Sequence, residues 1–235
     1  MHNFYRRYGK RLLDIILGIL GCIPACPVML IVIIAMFFFD RGTIFFVQER
    51  AGKRDANGNP TTFRMHKFRT MKMDTPHDVP TDQFEHADQY ITSLGKFLRK
   101  SSLDELPQFI NVFKGEMSVV GPRPHMLKHT KDYSAIIDKY MVRHLVKPGV
   151  TGWAQVTGYR GETKTLEQME GRVKRDVWYI ENWSFFLDLK IIVVTVLNIG
   201  CNFYGTIGIA SGSTVSNADE LWLTFCQLVH YLCNA

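Results

Sequence analysis

The sequence predicts an α-rich α/β membrane protein of monotopic type: an amino-terminal re-entrant helix broken by prolines, then a cytoplasmic domain with a small sheet and interfacial helices. Three observations carry this. A long uncharged apolar run near the amino terminus holds two prolines and has basic residues on both sides. Two β-branched and aromatic stretches flank a cluster of turn residues, and the remaining apolar residues recur mostly at helical spacing. The divisions expected are 1–40 for the membrane helix, 41–199 for the cytoplasmic domain and 200–235 for a carboxy-terminal extension.

Ile15 to Phe39 is 25 residues without a charged side chain, enough for a straight helix to span a bilayer. Pro24 and Pro27 divide it, and the halves Leu12 to Ile23 and Val28 to Phe39 hold 12 residues each, too few to cross alone. Arg6, Arg7, Lys10 and Arg11 precede the run; Arg41, Arg50, Lys53 and Arg54 follow it. Basic flanks favour the cytoplasm, which puts both ends on one side. A helix that enters, breaks at Pro24 to Pro27 and returns satisfies both facts, provided the freed backbone groups find partners. A kinked single span is the competing reading. A secretory signal resembles the Ile19-Leu-Gly-Cys22 string but does not explain a second apolar run directly after it.

The formal net charge of +6 suits an anionic membrane surface or a phosphorylated substrate. The basic residues gather around the apolar segment and the candidate site without a recognised nucleic-acid module, so nucleic acid is not expected as a partner. Five cysteines form no C-x-x-C pair, and a reducing, cytoplasmic setting follows for the soluble part.

Thr43 to Gln48 and Thr61 to Met71 read as strands around the turn residues Asp55 to Pro60. On the second, Lys67 and Arg69 share a face with Phe63 and Met65, while His66 and Phe68 point the other way. Solvated edge charges explain that pair unless more cations converge on it. Residues 72–92 carry acids, prolines, His77 and His86 without a period, and read as a loop followed by a short helix.

Asp104 and Glu105 lie in Lys100-Ser-Ser-Leu-Asp-Glu-Leu-Pro-Gln-Phe109, behind the basic Lys96, Arg99 and Lys100. Adjacent carboxylates suit a nucleophile beside a ligand for Mg²⁺. The alternative is a capping box, with Ser102 as N-cap and Glu105 at N3. Pro107 disfavours it, because as the fifth residue of such a helix it removes a hydrogen bond. It sits better at N1, leaving both acids in the preceding turn. Arg123, between Pro122 and Pro124, has a restricted backbone and a bidentate fork suited to phosphate oxygens, or is an ordinary exposed turn residue. Pro148 to Thr163 is rich in glycine, either a packed loop or part of a pocket.

Four motifs occur in order: Lys67-Phe-Arg-Thr-Met71, Ser102-Leu-Asp-Glu-Leu-Pro-Gln108, Val120-Gly-Pro-Arg-Pro124 and Pro148-Gly-Val-Thr-Gly-Trp-Ala-Gln155. Together, from about Lys10 to Ile199, the chain resembles the bacterial sugar transferases, the polyprenyl-phosphate phosphoglycosyl transferases that dip into the membrane once. The resemblance implies that Asp104 attacks the sugar-linked phosphorus of a nucleotide diphosphate sugar and that polyprenyl phosphate then takes the phosphosugar. It implies Glu105 as the Mg²⁺-binding acid, with Lys67, Arg69 and Arg123 handling phosphate. It favours the pocket reading of the glycine-rich segment, with Gln155, Tyr159 and Arg160 as contacts. It also implies the inner membrane, with the catalytic domain on its cytoplasmic face, and a compact form lacking the additional spanning domain of longer members. The sugar and the nucleotide stay open, with a UDP-hexose expected; capsule, exopolysaccharide or O-antigen assembly is the setting implied. A membrane-anchored scaffold with a degenerate site and a nucleotide-sugar pyrophosphatase are the alternatives.

Leu166 to Trp178 reads as a charged helix. Trp178, Tyr179, Trp183, Phe185 and Phe186 then mix with charges as an interfacial belt does. Ile191 to Ala218 is uncharged, but Asn198, Asn202 and its glycines make a poor span, so an interfacial or packed helix over Ile191 to Ile199 is expected. Asn217 to Cys233 has the spacing of one amphipathic helix, for a homodimer contact or for docking on its own domain.

Overall fold

A computed structural model describes residues 5–75, 87–161 and 165–211. A π-turn, Tyr5–Gly9, leads into α1, Lys10–Phe39. This helix is continuous through Pro24 and Pro27, where a break was expected. Each proline lacks an amide hydrogen, so the carbonyls of Leu20 and Ile23 lose their usual helical donors. Lys10, Asp14, Gly18, Ala25, Val32 and Met36 are buried, at steps of four and seven that mark one helix face. Ile16, Ile23, Ile31, Phe37 and Phe38 are exposed around it. Among the described residues, α1 is the one helix long and apolar enough to cross a membrane.

β1, Phe45–Ala51, and β2, Thr62–Phe68, pair antiparallel with Phe45 opposite Phe68 and Ala51 opposite Thr62. The Asp55 carboxylate organises their connection by accepting from the Asn57 and Asn59 amides at 2.9 and 2.8 Å. The alternation of β2 sorts its side chains as the sequence requires. Phe63 and Met65 pack against Val112 and Met117, and Phe68 against Val32, Met36 and Leu98. His77 and His86 lie outside the described residues. A 3₁₀ turn, Ala87–Tyr90, precedes α2, Ser93–Ser101, whose first turn is capped by Thr92 Oγ1 accepting from the Gly95 amide at 2.9 Å.

α3, Gln108–Lys114, ends at Gly115, and β3, Ser118–Val120, follows. α4, Leu127–Ser134, a 3₁₀ turn, Tyr140–Leu145, and β4, Gly149–Thr151, come next. β4 runs parallel to β3, so the strands form two two-stranded sheets where one small sheet was expected. The chains meet closely at the sheet's end: a Cβ on Gly149 would lie 2.1 Å from the Gly121 nitrogen, which only glycine avoids. α5, Trp153–Val156, α6, Leu166–Glu181, and α7, Phe185–Ser211, complete the described chain. α6 runs past the expected end at Trp178, and α7 passes Ile199 and continues through Gly200, Gly205 and Gly208. The Asn217 to Cys233 segment lies outside the described residues.

Val120, Val156, Tyr179, Ile191 and Val194 make one core cluster, and Asp188 lies fully buried beside it. Its carboxylate accepts from Tyr5 Oη at 2.6 Å, Lys10 Nζ at 2.9 Å, Tyr179 Oη at 2.7 Å and Trp183 Nε1 at 3.1 Å. One turn along α1, Asp14 accepts from Ser118 Oγ at 2.7 Å and the Val119 amide at 2.9 Å. At the far end, Asp40 pairs with Arg69 at 3.3 Å and accepts from Thr92 Oγ1 at 2.9 Å. Both ends of α1 are therefore fastened to the same domain.

Candidate active site

Ser102 ends α2 in the left-handed conformation, φ 60°, and turns the chain into a 3₁₀ turn, Leu103–Glu105. Its side chain caps no amide of that turn, and Pro107 stands at the N-cap of α3, one place before N1. The capping box is thus not formed. Both acids occupy the turn before α3, where β2 and the Pro122-Arg123-Pro124 segment bring cations to them.

Glu105 is the centre of the cluster. Its Oε1 accepts from Lys67 Nζ at 2.8 Å and Arg123 Nη2 at 2.6 Å, and its Oε2 from Arg123 Nη1 at 3.2 Å. Burial opposes the Glu105 charge, but the Arg123 and Lys67 charges and hydrogen bonds outweigh it and hold the carboxyl well below the usual range. Asp104 is buried beside it without an accepted hydrogen bond among the described residues; its Oδ2 is 3.9 Å from Lys67 Nζ. Burial pushes the Asp104 carboxyl up, Lys67 pulls it down, Glu105 adds repulsion, and the net shift is upward. Two adjacent acids are driven apart: one fixed as an ion-pair centre, the other more basic and held only by a long contact to Lys67. A more basic carboxylate with open lone pairs can attack an electrophilic centre once it is ionised.

The other sequence candidates divide. Arg160 donates through Nη2 to Ser102 Oγ at 2.8 Å, and its charge bears on Glu105, Arg123 and Asp104. Gln155 is buried and donates to the Val150 carbonyl at 3.3 Å, and Tyr159 packs on Gly171 under the Arg175 guanidinium, 4.5 Å from its ring. Arg69 does not join Lys67 at the dyad. Its guanidinium turns to Asp40 and to the carbonyls of Thr43, Met71, Asp40 and Arg41. Arg99, seen in sequence only as part of a basic run, places its charge near Asp104 and donates to Thr70 Oγ1 at 2.9 Å.

A model of the bacterial sugar transferase family matches residues 5–201. The chain belongs to the bacterial sugar transferases. It is 46% identical over 190 residues to an Escherichia coli strain K12 protein named UDP-glucose:undecaprenyl-phosphate glucose-1-phosphate transferase, covering 81% of this chain and 40% of that one. A Caulobacter vibrioides protein of the same name is 42% identical over 189 residues, 80% of this chain and 68% of its own length. An Aeromonas hydrophila UDP-N-acetylgalactosamine-undecaprenyl-phosphate N-acetylgalactosaminephosphotransferase is 35% identical over 195 residues, 83% of this chain and 44% of that one. This chain thus spans about two fifths of the length of the Escherichia coli relative.

Sequence reasoning did not find what stands behind Arg123. Arg143 is buried and donates through Nε to Asp176 Oδ2 at 2.7 Å and through Nη2 to the Arg123 carbonyl at 2.8 Å. Its Nη1 meets His125 Nδ1 at 2.8 Å, and burial followed by the Arg143 charge keeps His125 neutral. Arg172 donates to the Gly161 carbonyl, next to Arg160. The fixed backbone of Arg123 comes from two prolines and from this second row of buried charges, which lies far away in sequence.

Proposed function

We propose that the protein transfers a sugar 1-phosphate from a nucleotide diphosphate sugar, a UDP-hexose, to undecaprenyl phosphate through a covalent intermediate on Asp104. The observation that carries this is the contrast within the dyad: Asp104 more basic and without an accepted hydrogen bond among the described residues, Glu105 locked between Lys67 and Arg123. An Asp104 oxygen bonds to the sugar-linked phosphorus, the bond to the bridging oxygen breaks, and UMP leaves with the electron pair. An oxygen of undecaprenyl phosphate then attacks the same phosphorus, and the Asp104 carboxylate is released. Lys67, Arg123 and Arg160 offset the negative charge that donor and acceptor bring to this carboxylate. The relatives' names, which join UDP-sugars to undecaprenyl phosphate, support the pairing of substrates.

The residues fit Mg²⁺ held largely by substrate oxygens: Glu105 Oε2 accepts one hydrogen bond of the two it can take, and Asp104 accepts none among the described residues. When bound, the ion supplies charge neutralisation on the diphosphate. A placement of α1 with both ends on the cytoplasmic face of the inner membrane, beside the catalytic domain, is supported by the fastening of both its ends. A spanning helix delivers its ends to opposite sides, whereas Lys10 and Asp40 are held by one domain.

Incubating the protein with Mg²⁺ and a panel of nucleotide sugars, acceptor omitted, tests the covalent step by intact mass. A gain of one sugar phosphate with one donor is expected, and this names the sugar as well. No gain with any donor, and no nucleoside monophosphate released on adding undecaprenyl phosphate, overturns the proposal.

Two further outcomes follow from the site. Asp104 must be ionised to attack, so kcat/KM falls as pH drops through its raised pKa. Lys67→Met removes a charge that lowers this pKa and moves the acid limb of the pH profile to higher pH; a limb that stays or moves down excludes Asp104 as the titrating group. Arg143→Met loosens the Arg123 carbonyl and lowers kcat/KM about tenfold, equivalent to ~1.4 kcal/mol of transition-state stabilisation. Its Mg²⁺ and pH profiles should keep their wild-type midpoints.

A further inference from the structure

At the opposite end of α3 from the dyad, cations gather where the apolar surface of α1 meets the domain. Arg11, in the first turn of α1, donates to the Val112 carbonyl at 2.6 Å and the Phe113 carbonyl at 2.8 Å. These bonds hold its guanidinium over Gly115. Arg11 Nη2 and Lys147 Nζ each lie 3.5 Å from the point a Cβ on Gly115 would occupy, so two cations from distant segments flank one small gap. Gly115 has φ +80°, which favours glycine and keeps that gap free of a side chain. Lys53, from the β1–β2 connection, brings a third charge: burial, then Arg11, disfavour the Lys147 ammonium, Asp14 favours it, and Lys53 disfavours it further.

The nearby acids do not pair with these lysines. Asp14 gives its carboxylate to Ser118 Oγ and the Val119 amide, with Lys10 at 3.8 Å, and Glu116 accepts from Asn111 Nδ2 at 2.6 Å. Among the described residues neither Lys53 nor Lys147 makes an ion pair. Like charges gathered without a counter-ion are unfavourable, and a bound anion relieves them. The rim is apolar: Leu12, beside Arg11, is 61% exposed and Phe113 40% exposed. A free anion has no use for that rim, whereas a lipid headgroup places its phosphate among the cations and its chains along the apolar side.

We propose that Arg11, Lys53 and Lys147 bind the phosphodiester headgroup of an anionic phospholipid, holding the base of α1 at headgroup depth. The proposal rests on the membrane placement of α1 given above. The test uses the full chain and Lys53→Ser/Lys147→Ser, which leaves the structural bonds of Arg11 intact. Native mass spectrometry of detergent-solubilised protein titrated with phosphatidylglycerol should show one lipid retained with about tenfold higher affinity by the wild type than by the variant. Phosphatidylcholine should not distinguish the two, millimolar inorganic phosphate should not displace the retained lipid, and turnover in detergent should be equal. Equal retention of phosphatidylglycerol by both proteins overturns the proposal, as does displacement by inorganic phosphate, which would mark a site for free anions. Insertion into nanodiscs is scored separately: a chain that stays out of the bilayer overturns the membrane placement itself, while one that inserts without preferring phosphatidylglycerol overturns the lipid site alone.

Discussion

Asp104→Asn is expected to reduce turnover by on the order of 10⁴-fold or more, the scale seen when a covalent nucleophile is removed, and to abolish the sugar-phosphate mass gain. The amide keeps the shape of the side chain and leaves the Glu105 ion pairs with Lys67 and Arg123 in place. It should also make the protein more stable at neutral pH. Folding raises the Asp104 pKa, so the folded state prefers the protonated group; the stability this yields is present in full below the unfolded pKa and is lost as pH rises through the folded one. At neutral pH the ionised Asp104 therefore costs stability, and a neutral isostere removes the cost. A higher Tm together with lost turnover separates a chemical defect from unfolding. Near-normal activity in Asp104→Asn, or a lower Tm at neutral pH that vanishes in acid, contradicts the role assigned to this group.

The parts of the fold and site legible in sequence are those whose cause is local. Pro107 put Asp104 and Glu105 in the turn before α3, and the alternation of β2 sorted Phe63 and Met65 from Phe68. The flanking prolines marked Arg123. What sequence did not reveal depends on pairings between distant segments. Lys67 and Arg69 have the same spacing as any pair on one strand face; only Asp40, waiting beyond α1, draws the second away from the dyad. Arg143 and Asp176 look like ordinary charges on helical segments, and nothing in their own neighbourhoods announces that they meet behind Arg123. The glycine-rich Pro148 to Gln155 segment is understandable only with β3 beside it, since Gly149 is required by the approach of Gly121. α7 outran its expected end because helix propensity is a weak constraint, and glycines spread along a long apolar segment lower it without setting a boundary.

Asp188→Ala is expected to destabilise the folded chain by about 3–5 kcal/mol, the loss typical of breaking a buried ion pair by removing one partner. The carboxylate is fully buried and takes hydrogen bonds from the π-turn, α1, α6 and the α6–α7 connection, so its loss removes a shared acceptor from four donors at once. The gravest is Lys10, an ammonium 8% exposed whose remaining acid, Asp14, lies 3.8 Å away. For a chain of this size such a change corresponds to a fall in Tm of about 10 °C, measured in detergent. Lys10→Met in the Asp188→Ala background then separates electrostatics from packing. If the stranded charge dominates, the double variant recovers a substantial part of the loss; if Asp188 acts mainly as a hub for Tyr5, Tyr179 and Trp183, the losses add. Recovery is the expected result, because uncharged donors left unsatisfied cost less than a buried cation without its counter-ion. Since this knot fastens the start of α1 to the domain that carries Asp104, Asp188→Ala should also loosen the base of α1, read as faster protease cleavage around Gly9 while Arg69 and Asp40 still hold its far end.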